Sequence, residues 1–166
     1  MKKILVPVDL SPATVQVCNA ARDLAKRMGA RLLILHVVPP APLVMKQYAF
    51  AAIRESDFNR AAKKSAAHKL EVLARWFHKS LPETKVIQHS GPILPTILRT
   101  VSRTRPDYLV VGSHGHTAAF EMLVGSVAHG LIRKAPCPIV LVPIRQRVPR
   151  TRRIRMPDAE AMATIR

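Results

Sequence analysis

The stretch Arg31-Leu32-Leu33-Ile34-Leu35-His36-Val37-Val38 carries aliphatic side chains at six of its eight positions. A strand with one face in water alternates between apolar and polar residues. This one does not, so it reads as a strand covered on both faces, as in the interior of a parallel sheet. Pro39-Pro40 closes it. Upstream, Val17, Ala20, Ala21, Leu24, Ala25 and Met28 recur at threes and fours, which predicts a helix over Ala13–Met28 with one buried face and Gly29 as its stop. Further upstream, Lys3-Ile4-Leu5-Val6-Pro7-Val8 is a short aliphatic strand ending at Asp9. Ser11-Pro12 then reads as an N-cap followed by proline at the first helical position.

Downstream, residues 39–54 hold scattered apolar residues without a clear period and read as a long loop with helical content at its end. Glu55–Leu81 is a long amphipathic helix on the spacing of Ala62, Ala66, Leu70, Leu73, Phe77 and Leu81, ended by Pro82. Trp76, alone among apolar neighbours, reads as a core residue. Thr84–His89 is a partly polar strand near an edge, and Ile93–Arg103 a helix after Gly91-Pro92. Asp107–Val111 is a further strand, Gly112–Gly125 a loop, Ser126–Ala135 a helix and Pro138–Val142 a final strand. Strand and helix alternate four times before a closing strand, which predicts an open, five-stranded parallel α/β sheet with helices on both faces. Ligands in such sheets bind beyond the carboxyl ends of the strands, where the winding direction reverses.

A chain of 166 residues and 18.4 kDa suits one domain, and 48% hydrophobic against 22% charged residues excludes fibrous and wholly disordered classes. No apolar run approaches the roughly 18 residues that span a bilayer. Asp9 interrupts the first apolar stretch too early for a signal peptide, so a cytoplasmic protein is expected. Cys18 and Cys137 lack metal-ligand spacing and read as small buried apolar residues. With 27 basic and 10 acidic residues the net charge is +17. Such a field draws nucleotides, nucleic acids and acidic membranes alike. From 144 to 166 the chain has six arginines and no acid between Arg145 and Arg155, so residues 1–143 read as the domain and 144–166 as a basic, solvated tail.

Three of the six glycines fall in Gly112-Ser113-His114-Gly115 and, after nine residues, Gly125-Ser126, all between a strand and a helix. Glycine lets backbone N–H groups approach phosphate oxygens with no Cβ in the way. Ser126 at a helix start adds a hydroxyl and the positive end of a dipole. An anion fits such a place.

On these residues, together with KKILVPVDLSP at the start, LLILHVV in the second strand and LVGSVAHGLIRKAPCPIVLVP at the end, the chain resembles the universal stress protein family over residues 1 to about 143. The resemblance is to its nucleotide-binding branch and implies a Rossmann-like fold of the universal-stress-protein type. It implies that Gly112, Gly115, Gly125 and Ser126, with Ser113 in the same loop, surround the triphosphate of ATP, or the diphosphate of ADP, bound with Mg²⁺, while His114 and Val127 line the site. It further implies that Asp9 takes the ribose hydroxyls, that Val37 meets adenine through its backbone, and that Pro7 and Val8 pack nearby. A homodimer through the final strand, residues 138–142, and a regulatory partner protein belong to the same expectation.

Two residues depart from the family pattern. Where many relatives carry arginine or lysine, this chain has His116 and Glu121, and a carboxylate near phosphates repels them unless a cation or water lies between. His114, His116 and His129 suggest zinc only weakly, since no cysteine or carboxylate completes a tetrahedral set at familiar spacing. No residue is singled out as a catalytic base, so slow ATP turnover is the most that the spacing allows. The leading function is an ATP-binding, dimeric regulatory module of a stress response. The alternative is an adaptor that binds polyanions such as nucleic acid, anionic lipid or an acidic protein through the arginine tail.

Overall fold

The structure, a computed structural model, describes residues 1–40, 55–113 and 124–144. Its strands are β1 (Lys3–Val8), β2 (Arg31–Val38), β3 (Lys85–Ser90), β4 (Tyr108–Gly112) and β5 (Ile139–Val142). Its helices are α1 (Ala13–Met28), α2 (Glu55–His78), α3 (Ile93–Thr104) and α4 (Ser126–Lys134). The strands form one sheet in the order β3-β2-β1-β4-β5, parallel at every pairing. The open, doubly covered α/β sheet expected from the sequence is the fold.

Side-chain alternation along the inner strands divides the core in two. Ile4 and Val6 of β1 and Leu32 and Ile34 of β2 pack with Val17, Cys18 and Ala21 of α1 and with Leu70 and Phe77 of α2. Leu5, Leu33, Leu35 and Val37 point the other way, onto Ile97 and Val101 of α3 and Leu131 of α4. β2 is apolar nearly throughout because each of its faces meets a helical layer.

The helix ends follow local chemistry. Gly29, at φ 59°, closes α1 in the left-handed conformation, and the Ala30 N–H donates to the Ala25 carbonyl at 2.9 Å. α2 ends at His78 rather than Leu81. Leu81 instead lies in a turn, where its N–H donates to Phe77 O at 2.8 Å and its carbonyl accepts from the Thr84 hydroxyl at 2.7 Å. At the start of α1, Pro12 stands one position before the first helical residue, and Ser11 Oγ accepts the Ala13 N–H at 3.3 Å.

Two burial expectations fail. Trp76 is 48% exposed, because the core-facing positions of α2 are Ala66, Leu70 and Phe77 and residue 76 lies off that stripe. It packs edge-on against Phe77, ring centroids 4.7 Å apart, with the Arg22 guanidinium 5.9 Å from its own centroid. Cys18 is fully buried, whereas Cys137 is half-buried in the connection before β5.

Candidate functional site

The strand order reverses between β1 and β4. β1 is paired with β2 along its whole length, from Lys3↔Arg31 to Val8↔His36, but its register with β4 covers Ile4↔Tyr108 and Leu5↔Leu109. Beyond Leu5 the two strands part: Val111 and Gly112 continue with β5, at Leu141 and Val142. Pro7 suits this parting, since it has no N–H to offer a neighbouring strand. A crevice opens where the two middle strands diverge.

The crevice is a cavity of about 310 Å³. Of the residues expected at a site, Pro7, Val8, Asp9, Val37, Gly112, Ser113, Gly125, Ser126 and Val127 line it. His114, Gly115, His116 and Glu121 lie outside the described residues, as do 41–54 and the segment 145–166. The sequence reading missed the rest of the wall. Thr14 and Val17 come from α1, Leu35 and His36 from β2, Ile93 and Ile97 from α3, and Leu131 from α4. Position at the carboxyl ends of β1 and β2 was a signal for Leu35 and His36. None marked Ile93 or Ile97, whose helix reaches the cavity only through the crossover from β3.

Asp9 follows β1 directly. Its Oδ1 accepts the Ser11 N–H at 3.0 Å and the Thr14 hydroxyl at 3.3 Å, so the carboxylate is tied to the first turn of α1. Leu10, the next residue, has φ 60°, a conformation that side chains with a Cβ rarely adopt. The chain therefore leaves β1 through a constrained turn that fixes the Asp9 carboxylate at the cavity edge. On β2, His36 Nδ1 lies 2.8 Å from the Val8 carbonyl. A carbonyl can only accept, so Nδ1 carries the proton.

On the β4 side, Ser113 joins three segments. Its N–H donates to Val142 O at 2.8 Å, its hydroxyl accepts the Ile144 N–H at 3.0 Å, and its carbonyl accepts the Gly125 N–H at 2.7 Å. Gly125, extended at φ −66° and ψ 155°, precedes α4. The first-turn N–H groups of α4 have no intrahelical acceptor, and no acidic residue stands in that turn. This end of the cavity is polar and positive, whereas Leu35, Val37, Ile93, Ile97 and Val111 form an apolar stretch of wall, and Asp9, Thr14 and His36 are polar members of the wall beyond that end. Among the described residues no cluster of three His, Cys, Asp or Glu could hold a metal ion. No helix among them is long and apolar enough to cross a membrane.

Fold and crevice together define a Rossmann-like α/β protein with a cavity at the strand-order reversal, where such sheets place ligands. The sequence profile of the Universal stress protein family matches residues 1–143, and the chain belongs to that family. It is 28% identical over 141 residues to a universal stress protein of Thermus aquaticus, covering 85% of this chain and 98% of the relative. Its fold is similar to universal stress protein UspA from Lactobacillus plantarum, with a TM-score of 0.73 and 24% identity over 85% of this chain and 97% of that one. It is also similar to a universal stress protein family protein from Arabidopsis thaliana solved with AMP bound, with a TM-score of 0.60 and 20% identity over 87% of this chain and 93% of the other.

Proposed function

We propose that the chain is a regulatory module of a stress response that binds an adenine nucleotide, ATP foremost, in the crevice between β1 and β4. The observation that carries this reading is the convergence of nine expected residues, from four separate segments, on one cavity of about 310 Å³. That volume is within the range of small-molecule sites. An apolar wall ending in a helix N-terminus suits a ligand that is flat and apolar at one end and anionic at the other. The AMP bound by the Arabidopsis thaliana relative is such a molecule.

In this reading Val37 and the apolar wall hold the base. Asp9 accepts from the ribose hydroxyls, since a carboxylate offers about four lone-pair sites. Gly112, Ser113, Gly125, Ser126 and the first turn of α4 hold phosphates, with His114 and Gly115 completing the loop. Mg²⁺ would screen phosphate charge from carboxylates. The domain is residues 1–143, the protein works in the cytoplasm, and a partner protein reads its nucleotide state. β5 supports a homodimer: it ends the sheet, and Leu141 on it is 39% exposed, an apolar edge of the kind that invites pairing. Gel filtration of Val140→Pro as a monomer, beside a dimeric wild type, is the expected outcome.

Calorimetric titration with ATP and Mg²⁺ at physiological salt tests the nucleotide reading. Saturable one-site binding is expected in the wild type and its loss in the Gly115→Val, Gly125→Val double variant. Equal binding by both proteins, or by neither, overturns it.

A further inference from the structure

In a sheet whose pairings are all parallel, every connecting helix ends near the start of the next strand, so these ends gather on one pole of the molecule. Here that pole lies opposite the cavity, which opens at the strand C-termini. Lys26 and Arg27 end α1, Arg75 ends α2, Arg103 ends α3, and Arg133 and Lys134 end α4, all of them exposed. Lys2, Lys79, Lys85 and Arg105 stand exposed in or beside the connections to the strand starts. Two exposed carboxylates, Glu83 and Asp107, share the connections of the pole with these ten cations among the described residues, and Asp23 and Glu71, also exposed, stand one helical turn before Arg27 and Arg75. Asp107 already accepts the Lys3 backbone N–H, at 2.7 Å. The one ion pair among the described residues joins Arg22 to Asp23, so none of the ten cations is neutralised by a partner.

Basic residues at helix C-termini are favoured by the helix dipole, but the dipole favours acids in first turns equally. The first turns of α1, α3 and α4 contain none. α2 alone opens with acids, Glu55 and Asp57, so at three of the four helices dipole compensation accounts for only half of the pattern, and the cations are left as a predominantly positive surface.

We propose that this pole docks on the phosphate backbone of double-stranded nucleic acid. Five strand starts spaced about 4.8 Å apart span about 20 Å, with a helical layer about 10 Å to either side. A duplex carries one charge per about 1.7 Å of axis with both strands counted, so 20 Å of it carries about a dozen phosphates, roughly half of them on the side that faces a surface of ten cations. Half of these cations are arginines, whose planar fork suits phosphate oxygens. Seven of the ten stand in the last turn of a helix or at the start of a strand, and such fixed anchoring suits a regular phosphate array, whereas fluid lipid headgroups make no use of it. Among the described residues no helix or strand projects from the pole to enter a groove, so the contact reads no bases and tolerates any sequence. The proposal does not rest on the nucleotide reading, since the cavity occupies the opposite end.

The test uses the full chain and a labelled duplex of about 24 base pairs, with binding followed by fluorescence anisotropy across salt concentrations. A pole variant carries Lys26→Gln, Arg27→Gln, Arg103→Gln and Arg133→Gln. A control of equal charge carries Arg60→Gln, Lys63→Gln, Lys64→Gln and Lys69→Gln along α2. In the pole variant, affinity at 100 mM salt is expected to fall at least about tenfold and the log–log salt slope by about 3 to 4. The control should stay within about threefold of the wild type. Thermal melting checks folding, and the milder pair Arg103→Gln, Arg133→Gln should lower the slope by about 2 if the quadruple variant fails to fold. Equal losses in pole and control variants overturn the proposal. So does a wild type that binds phosphatidylserine vesicles but not the duplex.

Discussion

His36 Nδ1 lies 2.8 Å from the carbonyl oxygen of Val8, so a side chain of β2 holds the last peptide of β1 where β1 has lost β4 as a neighbour. That peptide leads into Asp9, and the hydrogen bond orients the turn at the cavity edge. Replacing His36 by Phe keeps a ring but removes the donor, which costs about 1 to 2 kcal/mol for a partly buried carbonyl left without it. Denaturant unfolding of His36→Phe should show that loss, and ATP affinity should fall several-fold. His36→Gln, which retains a donor, should recover part of both.

The Asp9 carboxylate has two separable roles. Asp9→Asn keeps an oxygen for the Ser11 N–H and Thr14 hydroxyl and should fold with near wild-type stability. Asp9→Ala loses both bonds, at a cost of about 1 to 2 kcal/mol. Both variants should bind ATP more weakly and adenine as well as the wild type does, as measured by calorimetry.

Leu10 combines an unfavourable conformation with apolar packing on the α1 side of the core. Relief of a left-handed backbone is worth about 1 to 2 kcal/mol, close to the value of the apolar contact given up. Leu10→Gly should therefore unfold within about 1 kcal/mol of the wild type. Leu10→Val gains no relief and adds a β-branch at φ 60°, so its denaturation midpoint should be clearly lower than that of Leu10→Gly.

Burial pushes the Cys18 thiol from 9.0 up to about 12, and raises Cys137 as well. Below the unfolded value both states keep the Cys18 proton. Above it the unfolded chain ionises first, so the stability tied to this thiol is intact below pH 9.0 and is lost as pH rises toward 12. At pH 8 a thiol reagent should label Cys137 of the native protein and reach Cys18 only on unfolding. Cys18→Ala should flatten the alkaline fall in stability.

Every described strand and helix was legible in the sequence to within a few residues, because the signals are local. Apolar spacing marks α1, continuous aliphatic side chains mark β2, and Gly29 marks a left-handed stop. Nine of the twenty residues that line the cavity were legible too, since Asp9 and Gly112 stand at strand ends and Gly125 at a helix start, where the fold places ligands. The hydrogen bond from His36 to Val8 was not, because it joins residues 28 positions apart whose meeting depends on the β1–β2 register. Trp76 was misread for a related reason: a residue one position from Phe77 is turned about 100° around the helix, and only the docking of α2 decides which of the two is covered.

Residue order thus settles the alternation of strands and helices, the excess of basic charge and the spacing of Gly112, Gly115 and Gly125, since each is a property of neighbours along the chain. Strand pairing settles the rest. It parts β1 from β4 beyond Leu5 to open the cavity, brings Ile93 and Ile97 of α3 to its wall, and collects ten cations from separate connections on the opposite pole. These relations join residues far apart in the chain, and no local period encodes which of them will meet.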